Sequence, residues 1–331
     1  MKPLTRVFSF CAASTLLLAI GCGSNSTTPA PGPTFTLYVV QNGSAALTNS
    51  VLQFPANGTG SIAPSNTVTV PSQTTYDALA VDTAGNQYVS ASVVTAPPML
   101  NEILIYGSGA TGGATPSRTI TSSSFSSVIT SIAVDSTGEV YALSGNSISV
   151  FAANAAGNAT PVRQIAGALT QINAASAIAV DAAQNIYVAN TQGNDILVFS
   201  STESGNVAPA GILGGTSSAI GAPAGVAIDS SGDIYVASFN QPSNSSAVLE
   251  FAPGATGNAT PTRTLTAVAS DTLAGLAVDA LDNLYVYTAT GSQLAVAVFT
   301  PSQSGSSAAS RTISSTAWTP IAPNYGQIAV R

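Results

Sequence analysis

The chain has 331 residues, enough for one large domain or two ordinary ones. Charged residues make up only 6%, against roughly 25% in an ordinary globular protein, while hydrophobic residues reach 45% and the net charge is −7, which excludes charge-driven disorder. There is no His and the only Lys is Lys2, so His-ligated zinc, Ser-His-Asp triads, His general bases and nucleic-acid binding through clustered lysines are all excluded.

In chain order the first element is an address. Lys2 and Arg6 precede an apolar run from Val7 to Ile20, shorter than the ~20 apolar residues of a membrane span. Basic residues, an apolar core and small terminal residues are the layout of a secretory signal over residues 1–21. Its end, Leu18-Ala19-Ile20-Gly21-Cys22, resembles the lipobox of bacterial lipoproteins, with Ala19 where that family usually has Leu. The resemblance implies a Cys22 that is acylated, becomes the mature N-terminus and holds the protein to a membrane. Gly23 at the next position, rather than Asp, implies export toward the outer membrane or cell surface. Residues 22–33 are Cys22 followed by GSNSTTPAPGP (23–33), a mobile tether without core-forming residues. Cys11 and Cys22 are the only cysteines, so residues 34–331 can form neither a disulfide nor a Cys-metal site. Without Lys2 and Arg6, five Arg face fourteen acids, a net charge of −9.

Residues 34–331 are built from one repeated unit. LAVDTAGNQYV (79–89) recurs as IAVDSTGEVYA, IAVDAAQNIYV, VAIDSSGDIYV and LAVDALDNLYV, with Asp82, Asp135, Asp181, Asp229 and Asp279 spaced by 53, 46, 48 and 50 residues. Each copy is followed by an apolar run that ends on an aromatic and then by a phrase such as GNATPVRQI or GNATPTRTL. Four short β-rich runs per roughly 48-residue period are the pattern of a propeller blade. TLYVV (36–40), SVLQF (50–54) and APSNTV (63–68) supply three strands of a unit that lacks its first strand. GQIAVR (326–331) aligns with the missing one. The expected fold is therefore all-β, a six-bladed β-propeller closed by pairing of this C-terminal strand with the N-terminal partial blade. Such a ring is expected to be monomeric.

The G-[VIL]-A-[VI]-D, [IL]-Y-V-A and [IL]-x-V-F phrases resemble NHL repeats, six of which form a β-propeller in several proteins. The resemblance spans residues 34–331. It implies a fold and no single activity, since that scaffold carries lactonases, lyases, RNA binders and protein-binding modules.

The recurring residues read first as structure. Ala80, Ala133, Ala179, Ala227, Ala277 and Ala329 fit strands that crowd toward an axis. The five repeated Asp residues each open a turn whose backbone N–H groups an Asp side chain can accept; they are assigned to turns and not to calcium. Tyr38, Tyr88, Tyr141, Tyr187, Tyr235 and Tyr285 read as blade packing. Arg118, Arg163, Arg263 and Arg311 share a place on the outermost strand, where they are expected to guard an open edge with charge. Asn158 and Asn258 match a glycosylation triplet but read as turn residues.

Function is sought where the units differ. Five residues before the aligned Asp or Arg331 stand Asp77, Thr130, Ser176, Ala224, Ala274 and Gly326, near the expected channel mouth. Tyr76, Asn324 and Tyr325 lie beside them. Asp77, Tyr76, Thr130, Asn324 and Tyr325 are the candidate ligand-binding residues. One carboxylate among small residues is thin for calcium, which takes six to eight oxygens, so neither a metal nor a catalytic residue is assigned. Longer excursions at 91–101 and 238–247 are places to graft recognition. The expected function is a membrane-anchored, non-enzymatic module that binds a protein or glycan at the cell envelope. The alternatives are a lactonase that uses a divalent metal such as calcium in the channel, with Asp77 and Asn324 as its first residues, and a purely structural envelope lipoprotein.

Overall fold

The computed structural model describes residues 34–41, 49–71, 74–75, 77–93, 100–240, 245–266, 272–290, 293–318 and 327–331. Residues 1–33, including Cys22 and the tether, together with Tyr76, Asn324 and Tyr325, lie outside the described residues. Among the described residues the one helical piece is a 3-10 turn, Ala168–Thr170, and no helix is long and apolar enough to cross a membrane.

Six small sheets form six blades, each an antiparallel meander numbered outward from the axis. Blade 1 takes its innermost strand from Ile328–Val330 and continues through Thr36–Gln41, Ser50–Pro55 and Asn66–Thr69. The pairing Leu37↔Val330, Tyr38↔Ala329 and Val39↔Ile328 closes the ring. Blade 2 runs Leu79–Val81, Gln87–Val93, Leu100–Tyr106, Arg118–Thr121; blade 3 runs Ile129–Val134, Val140–Ser144, Ser147–Phe151, Arg163–Ala166. Blade 4 is Ala175–Val180, Ile186–Asn190, Asp195–Phe199, Gly211–Gly214 and blade 5 is Gly225–Ile228, Ile234–Asn240, Ser245–Phe251, Arg263–Leu265. Blade 6 is Thr272–Val278, Leu284–Thr290, Gln293–Phe299, Arg311–Ser314. Where the sequence suggests long excursions, the strands themselves run on to Val93 and Asn240, and the connecting residues 94–99 and 241–244 lie outside the described residues.

Both faces of each blade are covered, so its strands read as nearly continuous apolar runs rather than alternating ones. Six hydrophobic clusters result, one in each seam between neighbouring blades. Phe54, Tyr106, Phe151, Phe199, Phe251 and Phe299 end the third strands and are all fully enclosed. Each such ring is worth about 3–5 kcal/mol against alanine.

A second set of contacts joins the blades at the rim and explains the GNATP phrase. Gly60, Gly112, Gly157, Gly205, Gly257 and Gly305 all have φ between +57° and +79°, a conformation that favours glycine. Each forms a short parallel bridge to the outermost strand of the preceding blade, at Ile313, Val68, Ile120, Ile165, Leu213 and Leu265 respectively. Gly205 N–H, for example, donates to Gln164 O at 2.6 Å while its own carbonyl accepts from Ala166 N–H at 3.1 Å. The outer edges are therefore engaged by the next blade's loop.

The arginines accordingly do not act as guards of an open edge. Each reaches into the following blade: Arg118 Nη1 to Ala153 O at 2.5 Å, Arg163 Nη1 to Ser200 O at 3.1 Å and Glu203 O at 3.2 Å, Arg311 Nε to Ala56 O at 3.0 Å across the ring closure. Asn66 does the same in blade 1, from Nδ2 to Ala110 O at 2.9 Å. Blade 4 has Gly211 here, and Thr256 Cγ2 of the next blade lies 2.8 Å from where a Cβ would stand.

Two further brackets repeat. Asn206 Oδ1 accepts Leu169 N–H at 2.8 Å, and Asn258 Oδ1 accepts Ser217 N–H at 2.7 Å. The glycines beneath, Gly167 and Gly215, have φ of 121° and 106°. A Cβ on Gly167 would lie 2.4 Å from Asn206 Oδ1. Gly167→Ala is expected to cost about 1–3 kcal/mol through backbone strain and loss of this bracket. Denaturant unfolding checks it, and a neutral result would mean that the bracket carries no stability.

Candidate functional site

The innermost strands converge on the axis because small residues, Ala177, Ala224, Gly225 and Gly275, alternate there with Leu79, Ile132, Ile178, Val226, Leu276 and Ile328. They enclose a cavity of about 80 Å³ whose only polar side chains are Ser131 and Gln327. In an antiparallel pair, residues alternate between bonding their partner strand and turning their N–H and C=O away. Asp82 N–H and Ala78 O bond the second strand, so Leu79 turns its backbone groups the other way. Two of these N–H groups find side chains of the preceding blade: Leu79 N–H donates to Gln327 Oε1 at 3.4 Å, and Ile178 N–H to Ser131 Oγ at 3.1 Å. Gln327 Nε2 then spans past blade 2 to Thr130 O at 2.9 Å. On the far side Ser176 Oγ donates to Pro223 O at 2.9 Å.

Asp77 and Thr130 stand on adjacent blades, two residues and one residue before the lining residues Leu79 and Ser131, and Gln327 bonds Leu79 N–H in the one blade and Thr130 O in the other. Asp77 N–H donates to Ser90 Oγ at 3.2 Å, and burial pushes its carboxyl above the ordinary carboxylate range. Thr130 Oγ1 is enclosed without a hydrogen-bond partner. Among the described residues no three Cys, Asp or Glu side chains gather as a metal-holding group. Gln327 is the residue that sequence reasoning missed, although the aligned positions are Ala78, Ser131, Ala177, Gly225 and Gly275, all small. Burial also raises the carboxyls of Glu102 and of Asp195, the latter despite a 2.8 Å bond from Asn190 Nδ2.

Connections between blades surround this mouth. Asn146 Oδ1 and Asn194 Oδ1, from turns of blades 3 and 4, accept the N–H of Ala174 at 3.2 Å and of Ala222 at 2.8 Å in the next blade. Both alanines have positive φ, 51° and 35°. Ser144 and Asn190, at the ends of their second strands, and Ser238, two residues before the end of its own, hold the loop that leads into their own blade.

The opposite ends of the blades are occupied by the repeated carboxylates. Asp82, Asp135, Asp181, Asp229 and Asp279 each accept two turn N–H groups on Oδ1, at 2.8–3.0 Å. On Oδ2 each accepts the hydroxyl of the tyrosine six residues on, at 3.0–3.2 Å. Their oxygens are directed into their own turns. Burial, then the Asp181 charge and hydrogen bond, push the Tyr187 hydroxyl up to about 12. Arg163, Arg263 and Arg311 stack over Tyr141, Tyr235 and Tyr285 at 5.7–5.9 Å from the ring centres, so carboxylate, phenol and guanidinium form one chain within these blades.

These sheets and their closure define a six-bladed β-propeller. The sequence matches no family model and no curated protein. Solved structures share the fold. A protein of unknown function from Bacteroides caccae superposes with TM-score 0.60 at 10% identity, covering 90% of this chain and 99% of its own. A candidate 6-phosphogluconolactonase from Bacteroides uniformis gives 0.55 at 16% identity over 82% and 80% of the two chains. A functionally unknown protein from Desulfotomaculum acetoxidans gives 0.51 at 14% over 88% of each.

Proposed function

We propose that this chain is a non-enzymatic recognition module, an NHL-like propeller tethered through acylated Cys22 to the bacterial envelope, which binds a protein or glycan at the mouth where Asp77 and Thr130 lie. The observation that carries the reading is the makeup of the axial cavity. Aliphatic side chains, glycine, one hydroxyl and one amide line about 80 Å³, with no charged side chain among the lining residues. Such a wall suits an uncharged group, a sugar hydroxyl or a polar peptide side chain, held by hydrogen bonds. It offers no guanidinium or ammonium for the phosphate that a 6-phosphogluconolactone would bring. The spacing from the repeated Asp to the closing aromatic differs from unit to unit, variation of the kind a recognition surface uses.

The test combines binding with a stability control. Asp77→Asn removes a carboxylate whose proton affinity is raised on folding. A raised carboxyl favours the folded state below its unfolded pKa of ~4 and loses that advantage as pH rises through the folded value. The variant is therefore expected to melt slightly higher than wild type at neutral pH and no differently near pH 3. Captured glycan or envelope protein is expected to fall at the same time. Binding unchanged in Asp77→Asn would remove the mouth from the reading, and lactone hydrolysis abolished by EDTA would replace it with the metal-hydrolase alternative. Labelled palmitate entering wild type but not Cys22→Ala checks the anchor.

A further inference from the structure

We propose that the seam between blades 1 and 2 is an internal hydration site, in which water is held between Gln53 and Gln87. Gln87 is 0% exposed and Gln53 8%. Gln53 Nε2 and both amide atoms of Gln87 are enclosed without a hydrogen-bond partner. Alternation along the strands places both side chains in this seam. Gln53 shares a face with Val51, and Gln87 shares one with Val89 and Ala91, and all three apolar residues belong to the cluster that joins blades 1 and 2.

The other seams are built differently at these positions. Where blade 2 has Gln87, the others have Leu37, Val140, Ile186, Ile234 and Leu284. Where blade 1 has Gln53, the others have Ile105, Val150, Val198, Glu250 and Val298. Of these only Glu250 is polar, and it has Arg263 as its partner, whereas Gln53 faces Asn66 across its strand pair. Tyr106 brings a hydroxyl to the same cluster, where the five other blades end on Phe.

The chemistry selects the occupant. Two amide NH2 groups and one amide carbonyl require a neutral molecule that both accepts and donates. The surrounding Val51, Val68, Val89 and Leu104 are buried and apolar and offer these amide atoms no side-chain partner. Buried water commonly makes about three such bonds to otherwise unpaired groups.

Crystal structures of the full chain, wild type and Gln87→Val, test this directly. Solvent density is expected within about 3 Å of the Gln87 amide and Gln53 Nε2 in wild type and is expected to vanish in the variant. Water relaxation dispersion in solution is expected to lose one or two long-lived waters in the same comparison. Should Gln87→Val fail to fold, Gln53→Val serves, with density expected to persist at Gln87 alone. Wild-type density in which the two amides bond each other or other protein groups, with no solvent between them, overturns the proposal, as does an unchanged count of long-lived waters.

Discussion

Arg263→Ala is expected to lower the unfolding free energy by about 3–5 kcal/mol and the melting temperature by on the order of 10 °C. Arg263 Nε and Nη2 both engage Glu250 Oε2, and Nη1 donates to Thr300 O at 3.1 Å, Pro301 O at 2.8 Å and Gln303 O at 3.0 Å in blade 6. The guanidinium also lies 5.7 Å from the Tyr235 ring centre. The side chains of Arg263 and Glu250 are only 10% and 18% exposed, so this pair is not a screened surface contact. Truncation leaves Glu250 enclosed, with burial already raising its carboxyl and with Asp233 and Asp229 adding to that rise. Without its counter-charge Glu250 would take up a proton at higher pH than in wild type. The deficit is therefore expected to be largest near neutrality and to shrink as pH falls through the raised folded value of Glu250 in the variant. Arg263→Lys is expected to recover less than half, because an ammonium cannot serve the carboxylate and three carbonyls from one plane. Chemical unfolding across pH checks all three statements, and a loss under 1 kcal/mol for Arg263→Ala would reduce this contact to the standing of an exposed ion pair.

Asp135→Ala is the second large effect, expected at about 3 kcal/mol. Asp135 is 7% exposed and accepts from Thr137 N–H and Oγ1, Glu139 N–H, the Tyr141 hydroxyl and, at 2.7 Å, Gln184 Nε2 of the next blade. Alanine would strand these donors, Tyr141 among them at 0% exposure. Burial pushes the Asp135 carboxyl up, but the bonds from Thr137, Gln184, Glu139 and Tyr141 outweigh it and hold the carboxyl below its ordinary value. A lowered carboxyl contributes stability above its unfolded pKa of ~3.9 and loses it as pH falls through the folded value. Wild type and Asp135→Ala should therefore differ fully at neutral pH and converge in acid. Parallel curves down to pH 2 would show that hydrogen-bond geometry and not charge carries the effect.

The fold was legible because the repeat made it so: five Asp-turn-Tyr phrases in register and a strand missing at one end that reappears at the other. The seams were legible as well, in the aromatic that ends each third strand. What the repeat could not show was direction. Arg163 on an outermost strand reads the same whether its side chain faces solvent or crosses to Ser200 O and Glu203 O in the next blade. The glycine of GNATP reads as a turn residue, yet Gly157 forms a parallel bridge to Ile120 of the preceding blade. At the mouth, Asp77 and Thr130 could be named from their register, but not the Gln327 amide that bonds Thr130 O and Leu79 N–H, since these partners are 197 and 248 residues away in sequence. Gln87 could have been noticed as an amide at a position of Val, Ile and Leu; its orphaned atoms could not.

In blade 1, Thr36 N–H donates to Arg331 O at 2.5 Å and Arg331 N–H returns a bond to Thr36 O at 3.0 Å. Residues 295 positions apart are thus neighbours in one ladder, and no blade has a privileged place in the order around the axis. Joining 331 to 34 through a short linker and opening an exposed turn elsewhere would preserve every ladder in the ring. Blade 1 would then be written as one uninterrupted stretch, and the ladder that joins the two chain ends would move to wherever the new cut was made.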